Sequence, residues 1–220
     1  MMHILALVLA AAQPASAGQI GVNAMATQTT KGIPATFDLA GFRLGMTEAD
    51  VERVLHERGM TVRRRTRADT FEDRVRKLVN LRGGRLSPKG GSVLDNADID
   101  DGRGGKLMIR MLAWPDGARV RGVTYLPPAG TVPAAWRTLL VEKYGAPAQD
   151  SDKVDGENLR AQWCRQTSCL GEGGVFRLGA DVGSRGGQIT LSQPEGTVGK
   201  VTALVEQEAA KRGPRGTPAL

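Results

Sequence analysis

Two cysteines, one acidic run and one isolated histidine are the residues of this sequence whose types and spacing could do chemistry. Cys164 and Cys169 are separated by four residues. Closing so small a loop removes only about 2 kcal/mol of chain entropy, so a disulfide here would pin a turn rather than hold a domain together. The alternatives are two free thiols or half of a zinc site. A structural zinc ordinarily takes four Cys or His ligands, and beyond His3 the only histidine is His56. The cysteine pair is therefore read as a disulfide. In the run Asp95–Gly102, Asn96, Asp98 and Asp100 have the alternate spacing of a calcium loop. The pattern then fails, because Asp101 stands where that loop needs glycine and Leu107 where it needs its bidentate glutamate. A solvated acidic loop is expected, with no metal and no cofactor. His56 follows Leu55 on a charged helix beside Glu57, and the usual catalytic dyads and triads would all rest on it. It is expected to be structural. Gly-x-Ser-x-Gly, His-Glu-x-x-His and Walker A patterns are absent from the sequence. Paired carboxylates acting on an envelope polymer remain the catalytic alternative, with no pair nominated.

The charge is uneven. The chain carries 30 Lys and Arg against 23 Asp and Glu, a formal +7. Residues 63–85 hold nine basic and three acidic side chains, which is nearly all of the excess. Arg63, Arg64, Arg65, Arg67, Arg74 and Lys77 are the candidates for binding an anionic partner. A basic patch raises the question of nucleic acid, but the address of the chain argues against it. Lipid headgroups, lipopolysaccharide, acidic glycans or an acidic protein face fit better. The same residues also read as a solvated, Arg-rich helix face, which the acidic loop could meet and neutralise across a short gap.

That address is written in residues 1–17. An unbroken apolar run, ILALVLAAA (4–12), is followed by Pro14 and by Ala15-Ser16-Ala17, a small-x-small cleavage site. The run is far shorter than the roughly 20 residues of a membrane-spanning helix. No Lys or Arg precedes it, so the start codon could lie upstream. The expectation is a secretory signal cut after Ala17 and a periplasmic or secreted protein, not an integral membrane one. The cysteine pair agrees, since disulfides persist in such compartments.

These residues must be positioned by ordinary elements. Residues 18–36 read as a flexible leader, with order beginning at Phe37. Residues 37–45 read as a short strand or extended segment. Thr47 caps a helix over 48–58, with Glu48 and Asp50 in its first turn, Val51, Val54 and Leu55 as its stripe and Gly59 as its stop. TVRRRT (61–66) suits a short strand. A second amphipathic helix over 69–82 buries Phe71, Val75, Leu78 and Val79. Residues 84–105 read as a long Gly/Asp-rich loop. The runs 106–113 and 118–126 around Trp114-Pro115-Asp116-Gly117 form a hairpin. Pro133 opens a helix over 133–144, ended by Gly145. Strands are expected at 159–166, 173–180 and 187–193. A last helix over 197–211 uses Val198, Val201, Leu204 and Val205 as its buried face, and residues 213–220 form a frayed tail.

The phrase FRLGMTEADVERVLHERG (42–59) resembles the opening segment of the BamE (SmpA/OmlA) family and of β-lactamase-inhibitor-protein-like domains. LLVEKYGAP (139–147) is similar to a helix end common in the same group. The resemblance implies helices packed on an antiparallel sheet, repeated in tandem in the inhibitors, which bind a secreted hydrolase through the concave sheet face. BamE proteins are lipoproteins of outer-membrane assembly, and no cysteine follows the apolar run here. The chain is therefore read as α+β, antiparallel sheet packed with helices. The arrangement expected is two helix-plus-sheet units, 37–128 and 129–212, whose first helices share the same apolar spacing. The function expected is that of an exported, non-catalytic binding protein of the bacterial envelope, whose partner is an envelope protein or an anionic envelope component.

Overall fold

The structure, a computed structural model, describes residues 33–150, 158–164, 169 and 174–213. The proposed signal peptide at 1–17, residues 18–32 of the leader and residues 214–220 of the tail lie outside them. A 3₁₀ turn at Pro34–Thr36 is followed by β1 (Asp38–Leu39), β2 (Phe42–Arg43) and α1 (Glu48–Glu57). Next come β3 (Thr61–Asp69), α2 (Phe71–Leu81), β4 (Ser92–Asp100), β5 (Lys106–Trp114) and β6 (Gly117–Leu126). The second half runs α3 (Pro133–Tyr144), β7 (Gln149–Asp150), β8 (Asn158–Cys164), β9 (Arg177–Gly183), β10 (Gly186–Ser192) and α4 (Gly196–Arg212).

The fold is α+β. Eight antiparallel strands form one sheet in the order β3-β4-β5-β6-β10-β9-β8-β7. Each half adds its strands in chain order from an edge toward the centre, and the two final strands meet there, with Leu191 opposite Val123. Strand alternation sends Ala97, Ile99, Leu107, Ile109, Val123, Ile189, Leu191, Leu178 and Leu159 to one face, where all are buried. Helices α1 and α3 cover that face through Val51, Val54 and Leu55 and through Leu140 and Tyr144, so a single apolar cluster spans both halves. A smaller cluster lies on the opposite face. There Phe71, Val75 and Val79 of α2 meet Val201, Val205 and Ala209 of α4 over Leu112 and Trp114 of β5.

Local chemistry explains the helix starts. Thr47 Oγ1 accepts from the Asp50 N–H at 3.1 Å while Asp50 Oδ2 accepts from the Thr47 N–H at 3.0 Å, a complete capping box. Thr70 caps α2 without the reciprocal bond, its Oγ1 accepting from the Asp73 N–H at 3.0 Å. Pro133 opens α3, whose last turn ends on Gly145 in the positive-φ region.

Five expectations are corrected. The supposed loop 84–105 contains β4: Leu94, Ala97 and Ile99 point to the core while Asp98 and Asp100 point away. The alternate acidic spacing is thus one face of a strand, not a cation loop. The short strand expected at 61–66 is present as β3 and runs on to Asp69 at the sheet edge, so Arg63, Arg64, Arg65 and Arg67 lie on a strand and the helix-face reading of them fails. The 3₁₀ turn falls inside the proposed leader, with Pro34 buried just ahead of Phe37, whose ring lies 4.5 Å from that of Tyr144. Val198 is 42% exposed, because α4 buries the stripe Val201, Val205 and Ala209 against α2 and Val198 sits a turn too early. The strand expected at 173–180 begins only at Arg177, after Gly174 at φ 78°.

Candidate functional site

The face of the sheet opposite the main core is only partly covered. α2 and α4 shield the end of β5 at Leu112 and Trp114. Beyond Arg110, pairing places Asp98, Met108, Thr124, Thr190, Gly179 and Gln162 in one row across six strands. A neighbouring row runs Asn96, Arg110, Gly122, Ser192 and Arg177. The middle of this surface is built of small residues: Gly122, Thr124, Thr190 and Gly179. A Cβ at Gly179 would meet nothing within 4 Å, so the face is open above it. Met108 and Leu126 add exposed apolar area, 37% and 36% accessible.

The candidate cations end up mostly paired. Arg63 meets Asp100, and Arg64 meets Asp98 at 2.9 Å, both across the β3–β4 pair. Arg65 reaches Glu52 and Arg67 reaches Glu48 on α1, each at 2.8 Å, and Lys77 binds Asp69 at 2.6 Å. Arg74 has no ion pair among the described residues. Much of the basic excess of 63–85 is therefore neutralised within the fold, and the acidic run of β4 supplies two of the partners. Exposed pairs of this kind contribute about 0–1 kcal/mol each, but they leave few free charges for an anionic surface.

Among the described residues, the carboxylates with displaced titration all move one way. Asp50, Glu72, Asp73, Asp100, Asp116 and Glu208 lie below the ordinary carboxylate range. For Asp100 the cause is first the Arg63 guanidinium and then the Gly102 N–H. A general acid for sugar hydrolysis needs the opposite displacement. Tyr144 and Tyr125 are pushed up, Tyr144 by burial and Tyr125 by burial and its hydrogen bond to Asp101 at 2.9 Å. Their places are structural. Tyr144 donates to the Asp38 carbonyl at 2.5 Å, and Asp101 also accepts from the Arg103 and Gly105 N–H groups of the β4–β5 turn.

Cys164 and Cys169 are joined in a disulfide, with their Cα atoms 5.5 Å apart. His56 is exposed on α1. Among the described residues no three His, Cys, Asp or Glu side chains converge into a metal-holding group. A shallow depression of about 220 Å³ beside α2, lined by Asp69, Asp73, Arg76 and Lys77, falls below the roughly 300–1,000 Å³ of small-molecule sites. Among the described residues no helix is long and apolar enough to cross a membrane.

One residue of the open face was not visible as special in the sequence. Arg110 lies across Gly122: a Cβ there would stand 3.6 Å from its Nε and 3.7 Å from its Nη2. Its Nε is buried and has no hydrogen-bond partner. The signal could have been found only by knowing the register, which sets glycine beside it. No family model, no curated protein and no solved structure matches this chain.

Proposed function

We propose that this chain is an exported, non-catalytic binding protein of the bacterial envelope that meets a partner protein with the open face of its sheet. The observation that carries the reading is that face itself. It is broad and lined by small and polar side chains, with open space above Gly179 and with Met108 and Leu126 exposed, although Gly122 and Thr124 are themselves buried. Small residues let another surface approach the sheet closely, and exposed Met108 and Leu126 supply apolar contact. The disulfide fits an oxidising compartment, and residues 1–17 read as the signal that would deliver the chain there. The likeness of residues 42–59 to BamE and inhibitor-type domains supports the same role, since the inhibitors dock through their sheets.

A protein partner is favoured over an anionic lipid or glycan because Arg63, Arg64, Arg65, Arg67 and Lys77 are already ion-paired. The test is affinity capture from an envelope extract of the host at low and moderate salt. One stoichiometric protein retained at moderate salt is the expected result. Many acidic species, all lost as salt rises, would reduce the interaction to charge alone and refute the proposal.

A further inference from the structure

Arg110 is an outer-face arginine of β5 whose guanidinium has no partner among the described residues. Its five N–H donors make no hydrogen bond or ion pair among the described residues, and Nε is sealed from water. A buried donor without a partner costs roughly 1–3 kcal/mol, so a fold has no structural reason to keep it. The nearby cations are different. Arg63 and Arg64 are held by Asp100 and Asp98, and Arg177 lies 3.9 Å from Glu195.

We infer that Arg110 is the recognition point of the open face, and that it receives a single carboxylate from an Asp or Glu on an extended segment of the partner protein. This rests on the docking reading above and adds the chemistry of the contact. The guanidinium is a planar fork that matches a carboxylate bidentately. It lies over Gly122, beside Ser192, with Thr124 and Thr190 in the adjoining row, so its immediate neighbours are small and uncharged. The guanidinium, set beside the neutral Gly122 and Ser192, is complementary to a negative charge. A polyanion would need several free cations side by side, and the cations of the adjoining edge, Arg63 and Arg64, are held by Asp100 and Asp98. The leader cannot fill the place from within the chain, because residues 1–32 contain no Asp or Glu.

The experiment selects random dodecapeptides displayed on phage against the exported protein. The strongest peptide is then synthesised with its acidic residue as Glu and as Gln and titrated against wild type, Arg110→Met, Arg110→Lys and Gly179→Tyr. Selected sequences should carry an acidic residue, and the Glu form should bind at least tenfold tighter than the Gln form. Arg110→Met should erase that preference with its melting temperature unchanged or raised, and Arg110→Lys should keep only part of it. Equal binding of the Glu and Gln forms overturns the inference, as does binding unaffected by Arg110→Met or a large fall in that variant's melting temperature. If Gly179→Tyr abolishes binding while Arg110→Met does not, the docking reading stands and the role of Arg110 falls. Failure to select any peptide, or selection of sequences displaced by heparin regardless of their carboxylate, sinks both.

Discussion

Asp73 is an ordinary helix carboxylate in the sequence and a clamp in the fold. Its two oxygens accept from the Lys89 and Gly91 N–H groups at 2.9 Å each, and Oδ2 also accepts from Thr70 Oγ1 at 3.0 Å. These bonds, chiefly those from Gly91 and Lys89, hold its titration down to about 2. An unfolded Asp titrates near 3.9, so this group binds fewer protons folded than unfolded between those values. Its contribution to stability is complete above about pH 4 and disappears as the pH falls through about 2. Asp73→Asn should therefore lower the melting temperature at pH 7 and lose its deficit relative to wild type as both are taken to pH 2. A constant deficit at every pH would show that the clamp does not act through its charge. Nothing local in the sequence announces this role, because the partners lie 16 and 18 residues away on a loop. Thr47, by contrast, is legible: a threonine with an acid three residues on, ahead of an apolar stripe, is a helix start, and Asp50 indeed completes the box. Thr47→Ala should cost about 1 kcal/mol in denaturant unfolding, and no loss would mean that packing alone fixes the start of α1.

Among the elements, those with strong punctuation were readable and those without were not. The β5–β6 hairpin, α1 and α3 stand where turn residues, a cap and an N1 proline put them. β4 was hidden because its outward positions are acidic and its flanks are rich in glycine, a composition that reads as loop until β3 is laid beside it. Asp98 and Asp100 are tolerated in a strand because Arg64 and Arg63 face them from the edge. The same arginines, with the register shifts near Arg64 and Arg67, also guard β3 against adding a foreign strand. At the other side of the sheet the Cys164–Cys169 link ties the end of β8 to the chain just beyond it. Replacing both cysteines by alanine should lower stability by about 2 kcal/mol, the entropy of so short a loop. A collapse of the fold would contradict the reading of this bond as a local pin.

At the scale of the whole molecule, the sheet is continuous through β6 and β10 and one apolar cluster reaches across it. The leading segment belongs to both halves: Phe37 packs on Tyr144, Tyr144 lies edge-on to Trp163, and Trp163 Nε1 donates to the Gly145 carbonyl at 2.7 Å. Phe37→Ala should cost about 3–5 kcal/mol and shift a single unfolding transition in calorimetry. Two separated transitions would mean that the halves are independent. The amphipathic stripes announce helices packed on an antiparallel sheet, but that they lie on both of its faces, and which part of the second face stays open, depends on where α2 and α4 meet, a tertiary contact between residues more than a hundred positions apart. The central claim concerns that open face, and its most direct test is capture of the envelope partner by wild type, by Gly179→Tyr and by Glu142→Ala. The tyrosine adds bulk at a point where nothing lies within 4 Å, and Glu142 is exposed on α3, on the other side of the sheet. The account predicts that wild type and Glu142→Ala retain the same partner and that a folded Gly179→Tyr loses it. Equal capture by all three would contradict it.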